Sequence, residues 1–381
     1  MHHAVAADAP TTQTLSRQVE AGFHLVRLQA GDCEEVFLTL PARQGESPPQ
    51  LFQRLYQFAE ANPRLHFVRQ GVFGVLGDPM SDHAPAYHLN GTEWPITWVE
   101  QGNGGGQPVA GIQVHALGGL EVQPVQLAGQ TVGAVFEDDA ARYCVLSGLR
   151  PADAHAGREA QAQATLERMD QALAAVGMSF AQVFRTWFYL DDILDWYGEF
   201  NRVRNAFFRE RGVYDGVVPA STGVGGRNAA GTALVADLLA LVPKHPAVRC
   251  LAVPSPRQCP ALDYGSSFSR AVELSLPGQR RLYVSGTASI LPDGRTAHVG
   301  DAAAQVELTM EVVAAILAAR GMTWNDTVRG IGYFKHMEDA PVFDRWRAAR
   351  GLSSWPVILA KNDICRDDLL FEIELDAVKL G

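Results

Sequence analysis

The 381-residue chain contains no Cys-x-x-Cys pair, no Gly-Lys-Ser/Thr loop, no ordered Gly-x-Gly-x-x-Gly and no block of lysine and arginine. The first absence removes the usual zinc and dithiol-redox frameworks, the next two remove phosphate-cradling loops, and the last removes the footprint of a nucleic-acid backbone. No run of about 18 apolar residues is present either, so a membrane span is not expected. Residues 1–10 lack the basic-then-apolar pattern of a secretory leader. Cysteine is sparse and odd in number: Cys33, Cys144, Cys250, Cys259 and Cys365 are scattered along the chain. Reduced thiols and a cytoplasmic protein are expected. Charged residues make up only 19%, with a net charge of −10. An acidic chain can still bind a small anion where a few arginines converge, because the local field outweighs the net charge.

What is present, above all, is a repeat. Residues 140–241 overlie residues 278–378 at an offset of 144 through the centre: Gln161 on Gln305, Gly177 on Gly321, Arg185 on Arg329 and Tyr189 on Tyr333. The earlier pair Gly148 and Gly286 differs by 138, which puts a six-residue length change in the loop after the first strand. Loops absorb such changes at little entropic cost. Each copy opens on an apolar run ending in Ser-Gly, a strand signature, followed by a helical period. In the second copy Val306, Met310, Val313, Ile316 and Leu317 form one stripe. Gly177 and Gly321 stand where helix-terminating glycines belong. The strands VFRTWFYL and TVRGIGYF, a second helix and two final strands complete a β–α–β–α–β–β order, which implies an α+β fold of mixed sheets covered by helices.

Residues 47–76 read as a helix and a strand, with Ser47 and two prolines at the start. They mark a degenerate third copy. The stretch 101–111, rich in glycine, reads as a loop, and the proline-rich residues 243–267 as a linker. Three units are expected: 1–123, 124–245 and 246–381.

The segments SFSRAVEL, YVSGTASI, GDAAAQVELTMEVVAAILAARGM, DTVRGIGYFK and LLFEIELDAV, in this order over residues 267–378, resemble the RidA/YjgF-like superfamily. That resemblance implies a trimer-like arrangement of three fused units, with small-molecule clefts between neighbours. Within the superfamily, FSRA (Phe268–Ala271), VSGTASI (Val284–Ile290), PASTGVGG (Pro219–Gly226) and DICRDDLLFEIE (Asp363–Glu374) resemble the chorismatase family. The family resemblance implies removal of the enolpyruvyl group of chorismate with release of pyruvate, without metal or organic cofactor. It also implies a catalytic role for Glu372. Cys365, seven residues earlier, resembles the type that releases 3-hydroxybenzoate, where alanine accompanies the type forming a dihydrodiol. Such a product suits a starter unit in secondary metabolism. The imine-deaminating branch carries Pro-Ala-Arg, and here Ser221 and Ile358 replace the arginine.

The residues are consistent with such chemistry. Chorismate carries an enol ether and two carboxylates, so its catalyst needs a proton donor and cationic anchors. Glu372 lies in the apolar strand LLFEIEL, where burial would keep a carboxyl protonated at neutral pH. Its bland alternative is a solvent-facing strand residue. Cys365 could equally be a small buried hydrophobe. Arg366 and Arg270 are either surface ion-pair residues or forked anchors for a carboxylate. Ser221 and Thr222 either end a strand or touch substrate, and Gly286 belongs to the same cleft by resemblance. Because Val235 stands in the first copy where Glu372 stands in the second, one site per chain is expected. His298 and His336 lack ligand spacing, so no metal is proposed. The partner is small-molecule chorismate, with neither nucleic acid nor membrane, in a monomer or small homo-oligomer. A dihydrodiol-forming chorismatase, a RidA-like enamine or imine deaminase and a metabolite-binding protein without turnover remain as alternatives.

Overall fold

The computed structural model describes residues 13–20, 22–74, 94–100 and 109–381. The glycine-rich stretch from residue 101 falls largely outside them. The chain builds three six-stranded sheets of one strand order. The first contains β1 (Gln13–Glu20), β2 (Phe23–Ala30), β3 (Cys33–Pro41), β4 (Leu65–Gly74), β5 (Ile96–Val99) and β6 (Val109–Gly118), with α1 (Pro48–Ala61) between β3 and β4. The second contains β7 (Val122–Leu127), β8 (Gln130–Glu137), β9 (Ala141–Leu149), β10 (Val183–Leu190), β11 (Ala220–Gly225) and β12 (Leu234–Pro243), with α2 (Arg158–Ala175) and α3 (Ile193–Glu210). The third contains β13 (Arg249–Val253), β14 (Ala271–Leu276), β15 (Gln279–Ala288), β16 (Thr327–Phe334), β17 (Val357–Lys361) and β18 (Phe371–Leu380), with α4 (Ala302–Ala319) and α5 (Ala340–Ala349). Numbered within each sheet, the spatial order is 1-2-3-6-4-5 every time. Among the described strands of the three sheets, only the pairs β4/β5, β10/β11 and β16/β17 are parallel.

Local sequence explains the elements. Ser47 caps α1 in a capping box with Gln50, whose side chain accepts from the Ser47 N–H at 2.8 Å. Gly177 and Gly321 adopt φ of 70° and 64° after α2 and α4, and the following Met178 and Met322 N–H groups bond back to Leu173 and Leu317. That is the left-handed cap which glycine alone adopts without a Cβ penalty. The α4 stripe of Val306, Met310, Val313, Ile316 and Leu317 is buried against the third sheet. Among the described residues α4 is the one helix long and apolar enough to cross a membrane, and here it is a core helix.

Two features differ from expectation. Each full unit begins with an extra antiparallel hairpin, β7–β8 or β13–β14, ahead of the β–α–β–α–β–β series. The strand β13 lies inside the segment read as a linker, because a five-residue edge strand exposed along most of its length carries no apolar alternation to betray it.

The sheets close around a pseudo-threefold axis. The edge strands β5, β11 and β17 lean on the next sheet, against β9, β15 and the β3/β6 pair respectively, giving three junctions. All residues of β10 and β16 are buried, since helices cover one sheet face and the neighbouring sheets cover the other. One irregularity precedes each of Arg69, Arg185 and Arg329 in the pairing of β4, β10 and β16. A bulge re-aims the following side chain, and here it sends each arginine across to the next sheet. Arg69 binds Asp237 at 2.9 Å, Arg185 binds Glu374 at 2.8 Å, and Arg329 donates to Gln113 at 2.9 Å. The three acceptors occupy one register position, opposite Trp187, Ile331 and Gly71. Breaking a buried pair of this kind on one side costs roughly 3–5 kcal/mol, so the ring fixes how the sheets sit.

Candidate active site

The junction between β11 and β15 opens into a cleft. A short parallel bridge joins Ala220 to Ser269, and the Ser269 N–H donates to the Pro219 carbonyl at 3.0 Å. The Ser221 N–H donates to Ser285 Oγ at 2.9 Å. From the other side the loop after β17 reaches back: Gly225 N–H donates to the Asp363 carbonyl at 2.7 Å, and Asn362 Nδ2 donates to the Gly225 carbonyl at 2.6 Å. Above these ties a cavity of about 180 Å³ remains.

Glu372 forms its floor. It sits on β18, 4% exposed, on the same face as Glu374. Burial, reinforced by the negative charge of Glu374, pushes its carboxyl up to about 8 against the pull of Arg185 and Arg270. At neutral pH the group is therefore a carboxylic acid, a donor. The β15 strand slips register between Val284 and Thr287, and Gly286 in that irregularity lies so close that a Cβ there would meet Glu372 Oε1 at 2.1 Å. Glycine is required there by close approach; its backbone needs no left-handed conformation.

Three arginines face the same space. Arg270 is 3% exposed, donates twice to the Cys259 carbonyl at 3.0 and 2.8 Å, and is flanked by the rings of Tyr264 and Phe268 at 5.4 and 5.5 Å. Arg366 donates to the Gly294 carbonyl at 2.7 Å and stands 5.5 Å from the Tyr264 ring. Arg204 is 1% exposed and donates to Asn201 Oδ1 at 2.7 Å, while its Nε has no hydrogen-bond partner among the described residues. Burial lowers the Arg204 pKa, with Tyr197 acting against that effect. None of the three arginines meets a carboxylate of the described residues in an ion pair. With Glu372 neutral, the cavity carries an uncompensated positive charge inside a protein whose net charge is negative.

Cys365 lines the wall, partly buried. Burial, then the neighbouring Glu372, pushes its thiol up to about 12. It is a neutral S–H group, a weak donor and no thiolate. Ser221 lines the cavity as well, and its Oγ accepts from Thr186 at 2.9 Å, leaving its own proton free to donate. Thr222 does not line the cavity. Its Oγ1 accepts from Arg185 at 2.7 Å and from the Gly286 N–H at 3.1 Å, and its proton goes to Glu374. The structure thus brings Glu372, Cys365, Arg366, Arg270, Ser221 and Gly286 into one cavity and places Thr222 behind its wall.

Sequence reasoning passed over Tyr197, Asn201 and Arg204. They project from α3 at i, i+4 and i+7, a polar stripe beside the buried apolar face of Trp196, Phe200 and Phe207. The spacing was available in the sequence. Tyr264, from the short turn Ala261–Tyr264 in the proline-rich segment, was equally unmarked.

A family model described as Endoribonuclease L-PSP matches residues 137–235, which hold β9, β10 and β11 of the second sheet and both of its helices. A chorismatase of Streptomyces hygroscopicus is 29% identical over 317 residues, which is 71% of this chain and 89% of that protein. A 3-hydroxybenzoate synthase of the same organism is 28% identical over 229 residues, covering 51% of this chain and 63% of that relative. The crystal structure of a chorismatase superposes with a TM-score of 0.63 at 24% identity, over 82% of this chain and 92% of that one. Sequence relatives and a shared fold agree that the chain is similar to chorismatases over 71% of its length by sequence and 82% by structure.

Proposed function

We propose that the chain removes the enolpyruvyl group of chorismate, releasing pyruvate and 3-hydroxybenzoate. The observation that carries this reading is the pairing, in one cavity, of a protonated Glu372 with three arginines that form no ion pair with a carboxylate of the described residues. A substrate with two carboxylates and an acid-labile enol ether fits both halves. Arg270, Arg366 and Arg204 anchor the carboxylates through charge-assisted hydrogen bonds. Glu372 delivers its proton to the terminal methylene carbon of the enolpyruvyl group, so that the departing fragment leaves as the keto form, pyruvate. In the same event the bond between the neighbouring ring carbon and the enolpyruvyl oxygen breaks, the ring hydroxyl oxygen closes on that carbon to form an arene oxide, and the hydroxyl proton returns to the Glu372 carboxylate. Opening of that ring and loss of a ring proton give the phenol. Chorismate divides into the two products without added water, and no metal or organic cofactor is needed for the balance. The neutral Cys365 thiol assists the opening by moving a proton. General acid catalysis of this kind contributes about 10²–10⁴ in rate.

The test is product identity. Purified protein with chorismate should release pyruvate and an equal amount of 3-hydroxybenzoate by chromatography, and Cys365→Ala should divert product toward the dihydrodiol formed with water. A parent enzyme that makes pyruvate and the diol would keep the family chemistry and remove the role given to Cys365. No pyruvate at all would remove the reading.

A further inference from the structure

Glu374, two residues beyond Glu372 on β18, is fully buried and touches neither the cavity nor solvent. Its carboxylate nonetheless gathers more donors than its ring partner needs. Arg185 Nη2 reaches it at 2.8 Å, Trp187 Nε1 lies 2.8 Å from both oxygens, and Arg329 Nη2 and the Thr222 hydroxyl complete the set. The two arginines overcome burial and hold Glu374 ionised, well below the usual carboxylate range.

The comparison around the axis is informative. Asp237, at the same register position in the second sheet, is held by Arg69, by Thr97 and by the Gly148 N–H at 2.9 Å. There the residue matching Glu372 is Val235, in an apolar cluster. At the open junction the same device stands behind an acid. Thr222 Oγ1 is the link: it donates to Glu374 and accepts from Arg185 and from Gly286, the residue pressed against Glu372.

We infer that Glu374 is a positioning residue: its fixed negative charge holds Arg185, Thr222 and Gly286 against Glu372 and opposes a second negative charge at that carboxyl. The inference rests on the reading of Glu372 as proton donor. Other groups also face Glu372: Arg185 from β10, Tyr333 paired with it on β16, Arg270 ahead of β14, Cys365 from the last loop, and Tyr197 and Arg204 from α3. Arg185 and Arg270 pull Glu372 toward ionisation, and on its own strand Glu374 pushes the other way.

The experiment is the pH dependence of pyruvate release from chorismate by the full chain and its variants. Loss of the Glu374 charge in the isosteric Glu374→Gln should move the alkaline limb of kcat toward acid by about one pH unit or more, from the Coulomb interaction of two nearby charges in a semi-buried setting. A merely structural Glu374 would lower the yield or kcat and leave the limb in place, and that result overturns the inference. Thr222→Val, which cuts the link and keeps the charge, should lower kcat by about tenfold or more, as small misplacements do, with the limb unmoved and Thr222→Ser restoring turnover. Parent-like turnover in Thr222→Val also overturns the inference, and the Thr222 pair decides the question should the Glu374→Gln chain not fold. A limb that survives in Glu372→Gln removes the reading of Glu372 itself, a failure distinct from a limb that Glu374→Gln leaves unmoved.

Discussion

The junction of the second and third sheets and the junction of the third and first are built from the same strands in the same register, and they have opposite characters. The position that carries Glu372 on β18 is Gly111 on β6, each opposite the fourth residue after the bulge arginine. At the third-to-first junction a Cβ on Gly111 would meet Ile358 Cδ1 at 2.7 Å and the Leu40 carbonyl at 2.6 Å. The space is filled by an apolar side chain. At the second-to-third junction the glycine stands on β15, the neighbour of β18 in the same sheet, as Gly286, and the room it leaves is taken by the Glu372 carboxyl. Moving the glycine to the neighbouring strand of the same sheet, and exchanging an isoleucine for a polar wall, turns a dry contact into a cleft. The fold supplies three equivalent places, and the side chains at each decide whether chemistry can occur there.

Glu372→Gln should give the largest effect: turnover should fall by roughly 10³, within the range for loss of a general acid, with the melting temperature kept or raised. Arg204→Met should weaken substrate capture next. Loss of a charged hydrogen bond of about 1.5–3 kcal/mol corresponds to an increase of roughly ten- to a hundredfold in KM for chorismate, and a KM unchanged by the substitution would show that Arg204 faces no carboxylate. Gly286→Ala inserts the Cβ against Oε1 and should cost about tenfold or more in kcat. Ile358→Ala, at the closed junction, should lower stability by roughly 2–5 kcal/mol through the cavity it leaves while turnover per folded molecule stays unchanged. A comparable loss of turnover in that variant would break the distinction between the two junctions.

Stability should also follow pH with a stated sign. The Glu372 carboxyl, at about 8 in the fold, lies above its unfolded value of 4.5. The folded chain therefore keeps a proton that the unfolded chain gives up. Its contribution is fully present below about 4.5 and is lost as pH rises through the window to 8. Glu372→Gln should flatten unfolding curves over that window in denaturant titrations.

The two clear repeats were legible because the offset of 144 keeps Arg185 on Arg329 and Tyr189 on Tyr333, and because helix stripes and terminal glycines agree with it. The ring of Arg69, Arg185 and Arg329 was not, since each partner lies far away in sequence and its choice depends on the bulge before the arginine. The strand β13 was hidden by its proline-rich, exposed setting. At the cleft, resemblance pointed to the segments from β14, β15, β11 and β18, whose side chains the sheets bring together. It did not reach Tyr197, Asn201 and Arg204, whose polar stripe lies on a helix better marked by its aromatic face. Nor could sequence tell that the Thr222 hydroxyl turns inward to Glu374, since adjacent strand residues point to opposite sides and the register decides which.

The most direct measurement is the rate of pyruvate release from chorismate between pH 6 and 10 by the parent and by Glu372→Gln. The expected result is a parent plateau that falls through an apparent pKa near 8, and a variant with turnover lost and no such fall. Equal rates in the two proteins, or the same alkaline fall in both, would contradict a single cleft worked by a protonated Glu372.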